Sequence, residues 1–295
     1  MRIAVFRPVG LGALLSTVPA LRALDAAYPA ARITLIGPAR ARPLALRLRR
    51  YLDGYLEFPG LPGTPGPSDP AALPEFFDLA RGARFDLMLQ MHGSGELANP
   101  LVVLMGAART AGYFRFGRFC PDPRRYLHWR DEEHETQRWL RLLEHLGVPP
   151  KGTQLEFPLH EADFREAAGF ALQGYALLHP DAGPLAAPWK AGRFAELGDA
   201  LAAEGLRIAL TGAARSCALA GEVRRAMREP ALDLAGRTTL GGFGALVARA
   251  RVVVTGNAGV ALLAAATRTP AVLIARGASV QDAQQDVARV LACAA

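Results

Sequence analysis

Lysine is nearly missing from this sequence: of its 34 basic residues, all but Lys151 and Lys190 are arginine. Lysine-rich nucleic-acid tracts are therefore excluded, and so is a P-loop, whose Lys-Ser/Thr pair occurs after no glycine-rich turn. Cysteine is equally scarce. Cys120, Cys217 and Cys293 stand far apart with no CxxC or Cys/His spacing, which excludes a disulfide framework and a structural zinc site and predicts buried, reduced thiols. No apolar run reaches the ~18 to 20 residues of a membrane span. "MRIAVFRPVG" is too short and too soon interrupted for a secretory signal, so a cytoplasmic chain is expected.

The 295 residues, 51% of them hydrophobic, exceed a usual single domain and predict two. The formal charge of +7 could suit a polyanion. However, the arginines are scattered and no basic helix with interleaved aromatics appears, which argues against nucleic acid. An Arg- and Ala-rich composition accounts for the charge without any ligand. The excess lies in residues 1–150, with Arg7, Arg115 and Arg118 as candidates to face an acidic acceptor.

What the chain does contain is alternation. "RIAVFRP", "ARITLIG", "GYLEFPG" and "FDLMLQM" read as strands, separated by helical patterns in "LLSTVPALRALDAAY", "PLALRLRRYL" and "PEFFDLARG". An irregular stretch, "RFGRFCPDPRRYLHWRD", precedes a helix with an acidic start, "DEEHETQRWLRLLEHLG", and then a linker, "GVPPKGTQLEFPL". A second strand–helix series starts at "YALLHPD" and runs through "LRIALTG", "PALDLAG", "RVVVTGN" and "PAVLIAR". The pattern predicts an α/β fold with parallel sheets, divided into residues 1–150 and 151–295.

In such folds ligands bind beyond the carboxyl ends of the strands. Three loops lie there. The first turns on Gly10 and Gly12 and leads into Ala13, without the GxGxxG of a dinucleotide site. The second, "HPDAGPLAAPWKAG", carries His179, Asp181, Gly183, Trp189 and Lys190. The third, "TGNAG", carries Thr255, Gly256, Asn257 and Gly259 before a helix whose N-terminus suits a diphosphate. Bland readings stand beside these: His179 closing its own strand, Trp189 plugging a core, the first glycine turn serving the backbone alone.

The blocks "MRIAVFRPVGLGALLSTVPALRALDAAYPAARITLIGPA", "FDLMLQMHGSGELANPLVVLMGAARTAGY", "HPDAG…W…RFAELGDAL", "LTGAA" and "LAGRTTLGGFGALVARARVVVTGNAGVALLAAATRTPAV" together resemble glycosyltransferase family 9, the lipopolysaccharide heptosyltransferases. The resemblance implies a GT-B fold of two Rossmann-like domains facing across a cleft. It implies an ADP-heptose-type donor on residues 151–295 and an acceptor on residues 1–150, with inverting transfer that needs no metal and no further cofactor. Donor contacts would fall on Gly183, Trp189, Lys190, Thr211, Gly212, Thr255, Gly256, Asn257 and Gly259, acceptor contacts on Gly10, Gly12, Ser94 and Asn99. The expected partners are a nucleotide-sugar and a carbohydrate (lipopolysaccharide core-type) or small-molecule acceptor, with no nucleic acid, no transmembrane segment and at most peripheral contact with the inner membrane.

The sequence departs from the family where chemistry is expected. The family's first glycine turn continues with Asp, the base that takes the acceptor proton; here the residue is Ala13. An Asp-Thr/Ser-Gly turn followed by histidine becomes Asn257, Ala258 and Gly259, then Leu262. A basic pair before the loop tryptophan becomes Ala187 and Pro188. Asp181 and His92 are the candidates for a relocated base. The competing reading is a pseudo-glycosyltransferase, a binding or scaffold protein that keeps the fold; a dinucleotide oxidoreductase is disfavoured by the missing GxGxxG.

Overall fold

The structure is a computed structural model and describes residues 1–62, 68–181 and 189–294. The chain divides into two compact units, Met1–Leu155 and Glu156–Ala295. The division falls within residues 148–160, which carry neither helix nor strand.

The first unit is a six-stranded sheet formed by β1 (Arg2–Phe6), β2 (Arg32–Gly37), β3 (Gly54–Glu57), β4 (Leu87–Gln90), β5 (Thr110–Phe114) and β6 (Tyr126–His128). All neighbours are parallel and the order is β3-β2-β1-β4-β5-β6. Its helices are α1 (Leu11–Leu15), α2 (Val18–Ala27), α3 (Arg42–Arg47), α4 (Leu73–Gly82), α5 (Ala98–Leu104) and α6 (Glu135–His145). Strand β1 is central, so Ile3, Ala4, Val5 and Phe6 are wholly buried, as a near-continuous apolar run in a parallel sheet requires. One face of the sheet packs Phe6, Phe58 and Phe76 edge to face, with centroids 5.2 Å apart in each successive pair.

The second unit has five parallel strands: β7 (Tyr175–His179), β8 (Arg207–Leu210), β9 (Ala231–Asp233), β10 (Val252–Thr255) and β11 (Ala271–Leu273). Their order is β11-β10-β7-β8-β9. They are flanked by α7 (Glu161–Ala168), α8 (Ala191–Ala203), α9 (Cys217–Ala226), α10 (Leu240–Arg249), α11 (Ala258–Ala266) and α12 (Val280–Ala294). Leu178, Leu210 and Val254 form its core with Trp189, Phe194, Leu197, Val223 and Val287.

Four features differ from expectation. The helix expected over "LLSTVPALRALDAAY" is broken into α1 and α2, because Pro19 has no N–H to continue the ladder. The stretch read as irregular contains β6, a three-residue edge strand whose only buried side chain is Tyr126. Helix α7, absent from the expected series, starts where the Asp163 carboxylate accepts the His160 N–H at 2.8 Å. Finally, Cys217 and Cys293 are exposed rather than buried, and only Cys120 is partly covered. Among the described residues no helix is long and apolar enough to cross a membrane.

Candidate active site

In each sheet the strand order reverses once, between β1 and β4 in the first unit and between β7 and β10 in the second. At such a switch point the loops leaving two adjacent strands run in opposite directions and leave a crevice beyond their carboxyl ends. Several of the residues singled out in the sequence, among them Arg7, His92, His179 and the Thr255–Gly259 turn, follow or end these four strands.

At the β1/β4 switch, Arg7 follows β1 directly and is 2% exposed. Its guanidinium donates through Nε to Thr17 Oγ1 (3.2 Å), through Nη1 to the Met91 carbonyl (2.7 Å), and through Nη2 to the Ala13 carbonyl (3.0 Å) and the Glu135 carboxylate. The Trp139 ring covers it at 4.7 Å. Burial lowers the pKa of Arg7 and the Glu135 charge opposes that pull. Arg7 is therefore a buried, fully engaged cation and not one offered to an acceptor. Arg115 and Arg118 are exposed and share Glu96, with Arg115 also bound to Asp131.

Glu135, the first residue of α6, closes this cluster. Its Oε1 accepts a hydrogen bond from Arg7 Nη2 and its Oε2 accepts from Ser16 Oγ at 2.6 Å. The same Ser16 hydroxyl lies 2.7 Å from the Ala13 carbonyl. A carboxylate thus shares Arg7 and Ser16 with the Ala13 carbonyl although residue 13 has none. Sequence reasoning assigned the acids of "DEEHETQ" only to the helix dipole. The available signal was Arg7: a guanidinium directly after the buried run Ile3–Phe6 needs several acceptors, and a carboxylate is one that can supply them.

His92 follows β4. Its Nδ1 is buried without a hydrogen-bond partner, and burial, reinforced by Arg7 and opposed by Glu135, pushes its pKa down to about 4. Ser94 and Gly95 complete this turn. Gly95 has φ +88°, and a Cβ there would lie 2.2 Å from the Tyr113 carbonyl and 2.5 Å from the Asn99 amide, so only glycine fits. Asn99 is wholly buried and donates to the Tyr113 (3.0 Å) and Phe119 (3.2 Å) carbonyls, which makes it a brace under the loop. Gly10 is extended at φ −70° with open space where its Cβ would be, and Gly12 lies within α1; the backbone does not demand glycine at Gly10.

At the β7/β10 switch, His179 ends β7 and Thr255 ends β10. The Thr255 hydroxyl donates to the His179 carbonyl (3.1 Å) and receives the Asn257 N–H (3.0 Å). His179 Nδ1 lies 3.1 Å from Thr211 Oγ1, and burial pushes the imidazole down to about 4. The Asn257 side chain caps α11 by accepting the Gly259 N–H at 2.9 Å, so an anion at this helix start meets an amide oxygen already in place. Gly212 lets Ser216 approach: a Cβ would lie 3.0 Å from that of Ser216. Asp181 Oδ2 is held by Arg215 Nη2 and Ser216 Oγ, both at 2.9 Å. Trp189 is 6% exposed, donates to the Ala278 carbonyl (3.1 Å) and packs on Phe194; Lys190 beside it is exposed at the start of α8. Gly183 lies outside the described residues. His92 and the Gly10–Ser16 turn thus belong to one unit, and Asp181 with the Thr255–Gly259 turn to the other.

Among solved structures, ADP-heptose lipopolysaccharide heptosyltransferase II of E. coli superposes with a TM-score of 0.76 at 19% identity, over 100% of this chain and 99% of that one. The E. coli heptosyltransferase WaaC with ADP gives 0.71 at 17%, over 99% and 100%. A family 9 glycosyl transferase from Veillonella parvula DSM 2008 gives 0.75 at 20%, over 92% and 79%. At these identities the likeness establishes the fold, which is GT-B. A comparison with curated protein sequences finds no match. Residues 77–276 match glycosyltransferase family 9 (heptosyltransferase), a stretch that takes in the loops after β4, β7 and β10, and the chain belongs to that family.

Proposed function

We propose that the protein transfers a heptose-like sugar from an ADP-sugar to a hydroxyl of a carbohydrate or small-molecule acceptor. Residues 156–295 hold the donor and residues 1–155 the acceptor. The acceptor oxygen forms its bond to the anomeric carbon as the bond from that carbon to the diphosphate breaks; ADP leaves, the configuration inverts and the acceptor proton passes to a base. No metal is needed if backbone N–H groups and the α11 N-terminus stabilise the departing diphosphate. The observation that carries this reading is the family match, which spans both units and three of the four switch-point loops. It is supported by the E. coli heptosyltransferase WaaC, described with ADP and with ADP-2-deoxy-2-fluoro heptose.

The competing reading, a scaffold that binds without turnover, rests on Ala13 and Leu262. Calorimetry of the whole protein with ADP, GDP and UDP tests the donor site. The expected outcome is that ADP binds most tightly and that Gly259→Val weakens it at least about tenfold, since the branched side chain obstructs the helix start. If no nucleotide binds, or Gly259→Val binds ADP as well as wild type, the donor site is wrong. ADP binding together with ADP release from ADP-heptose removes the scaffold reading.

A further inference from the structure

Glycosyl transfer to a hydroxyl leaves a proton that some group must accept. Among the described residues the β1/β4 switch point carries two carboxylates: Glu96, in the loop after β4 and shared by Arg115 and Arg118, and Glu135, which comes from the far end of the unit's sequence. We propose that Glu135 is the general base of this protein, standing at the Gly10–Ser16 turn; the inference rests on the transferase reading above.

Three observations carry it. First, Glu135 is fixed: Arg7 holds one oxygen and Ser16 the other, so its position beside Ser16 at the end of the Gly10–Ser16 turn is set before any acceptor arrives. Second, it remains reachable. Its side chain is 34% exposed while that of Arg7 is 2% exposed, and a carboxylate with about four lone-pair positions keeps acceptor capacity after two hydrogen bonds. Third, the cluster tolerates the proton. When Glu135 becomes neutral, the Arg7 guanidinium still donates to two carbonyls and to Thr17, and the face of Trp139 still covers it. The other candidates fare worse. A proton on His92 would set an imidazolium beside the buried guanidinium, and Asp181 is tied to Arg215 and Ser216 in the other unit.

The step balances simply. The acceptor O–H bond breaks, its electron pair forms the new glycosidic bond, the proton moves to Glu135, and the diphosphate leaves with the electrons of the broken bond. Arg7 and Ser16 are positioning residues.

The test follows ADP release from ADP-heptose by the full-length protein, with water or an added sugar as acceptor. Wild type is compared with Glu135→Gln and Glu135→Asp, and ADP affinity and melting temperature are measured for each. Glu135→Gln is expected to lower kcat by roughly 10² to 10⁴ and to leave ADP affinity within twofold. Glu135→Asp keeps the charge opposite Arg7 but withdraws the carboxylate by one methylene; it is expected to fold like wild type with kcat at least about tenfold lower. Either variant turning over within threefold of wild type overturns the proposal, as does a loss of rate in Glu135→Gln that follows melting temperature alone while Glu135→Asp stays fast. Wild type that binds ADP but releases none from ADP-heptose overturns the base and leaves the donor site standing. Wild type that binds no nucleotide overturns the transferase reading itself.

Discussion

His179 shows how a single residue couples the switch point to stability. The imidazole is 6% exposed and is held neutral, with its pKa moved from the ordinary 6.5 to about 4, chiefly by burial. Because the folded value is the lower one, the unfolded chain binds the proton first as pH falls. Stability is therefore complete above pH ~6.5, declines between 6.5 and 4, and is fully lost from this group below 4. A gap of about 2.5 pH units corresponds to on the order of 3 kcal/mol in total, and about 2 kcal/mol of it should be gone at pH 5. Urea melts at pH 7 and pH 5 should show wild type losing about 2 kcal/mol more than His179→Asn; equal losses would mean that the imidazole is not held neutral. At this scale the sequence was legible wherever a residue's role depends on its neighbours in the chain. His179 at a strand end and Trp189 as a core plug could both be read. Glu135 could not, because its partner Arg7 lies 128 residues away and the pairing exists only once α6 has packed on the sheet.

Among the elements, α10 is placed by what its glycines lack. A Cβ on Gly244 would lie 2.3 Å from the ring of Phe157, and one on Gly242 would lie 2.2 Å from the Glu166 carboxyl carbon. Glu166 on α7 also accepts the Thr239 N–H (2.8 Å) and hydroxyl (2.6 Å) at the α10 N-cap. Two opposing effects meet at Gly244. Alanine is the better helix former by about 1 kcal/mol, but Phe157 is 5% exposed, and its ring can move away only by disturbing packed neighbours, at roughly 1 to 3 kcal/mol. Gly244→Ala is thus expected to destabilise the protein by up to about 2 kcal/mol in chemical denaturation; a stabilised variant would show the ring free to swing away. The alternation of apolar runs with helical spacing revealed most elements because each such run is long enough to carry its own period. It missed β6, three residues at a sheet edge in an arginine-rich stretch, and it fused α1 with α2 because helical periodicity passes unbroken through a proline. It also passed over α7, whose start is marked by a short polar cap rather than by an apolar stripe.

For the molecule as a whole, each unit has its own apolar core, one centred on Phe6, Phe58 and Phe76 and the other on Leu178, Leu210 and Val254. A core of its own is what lets a unit open independently of its partner, and proteins built this way commonly depart from two-state unfolding. A ligand stabilises only the unit whose native state binds it, by RT ln(1 + [L]/Kd), or about 2.7 kcal/mol at a hundredfold excess over Kd. The donor assignment therefore makes a prediction that is independent of turnover. Native-state hydrogen exchange, resolved by segment at an ADP concentration of about 100 Kd, should show the slowest amides of β7, β8 and β10 gaining about 2 to 3 kcal/mol of protection while those of β1, β2 and β4 change by less than about 0.5 kcal/mol. The reverse pattern would move the nucleotide to residues 1–155 and exchange the roles of the two units. An equal gain in both would show that they open as one cooperative body, and the separate cores would then not set the unfolding units.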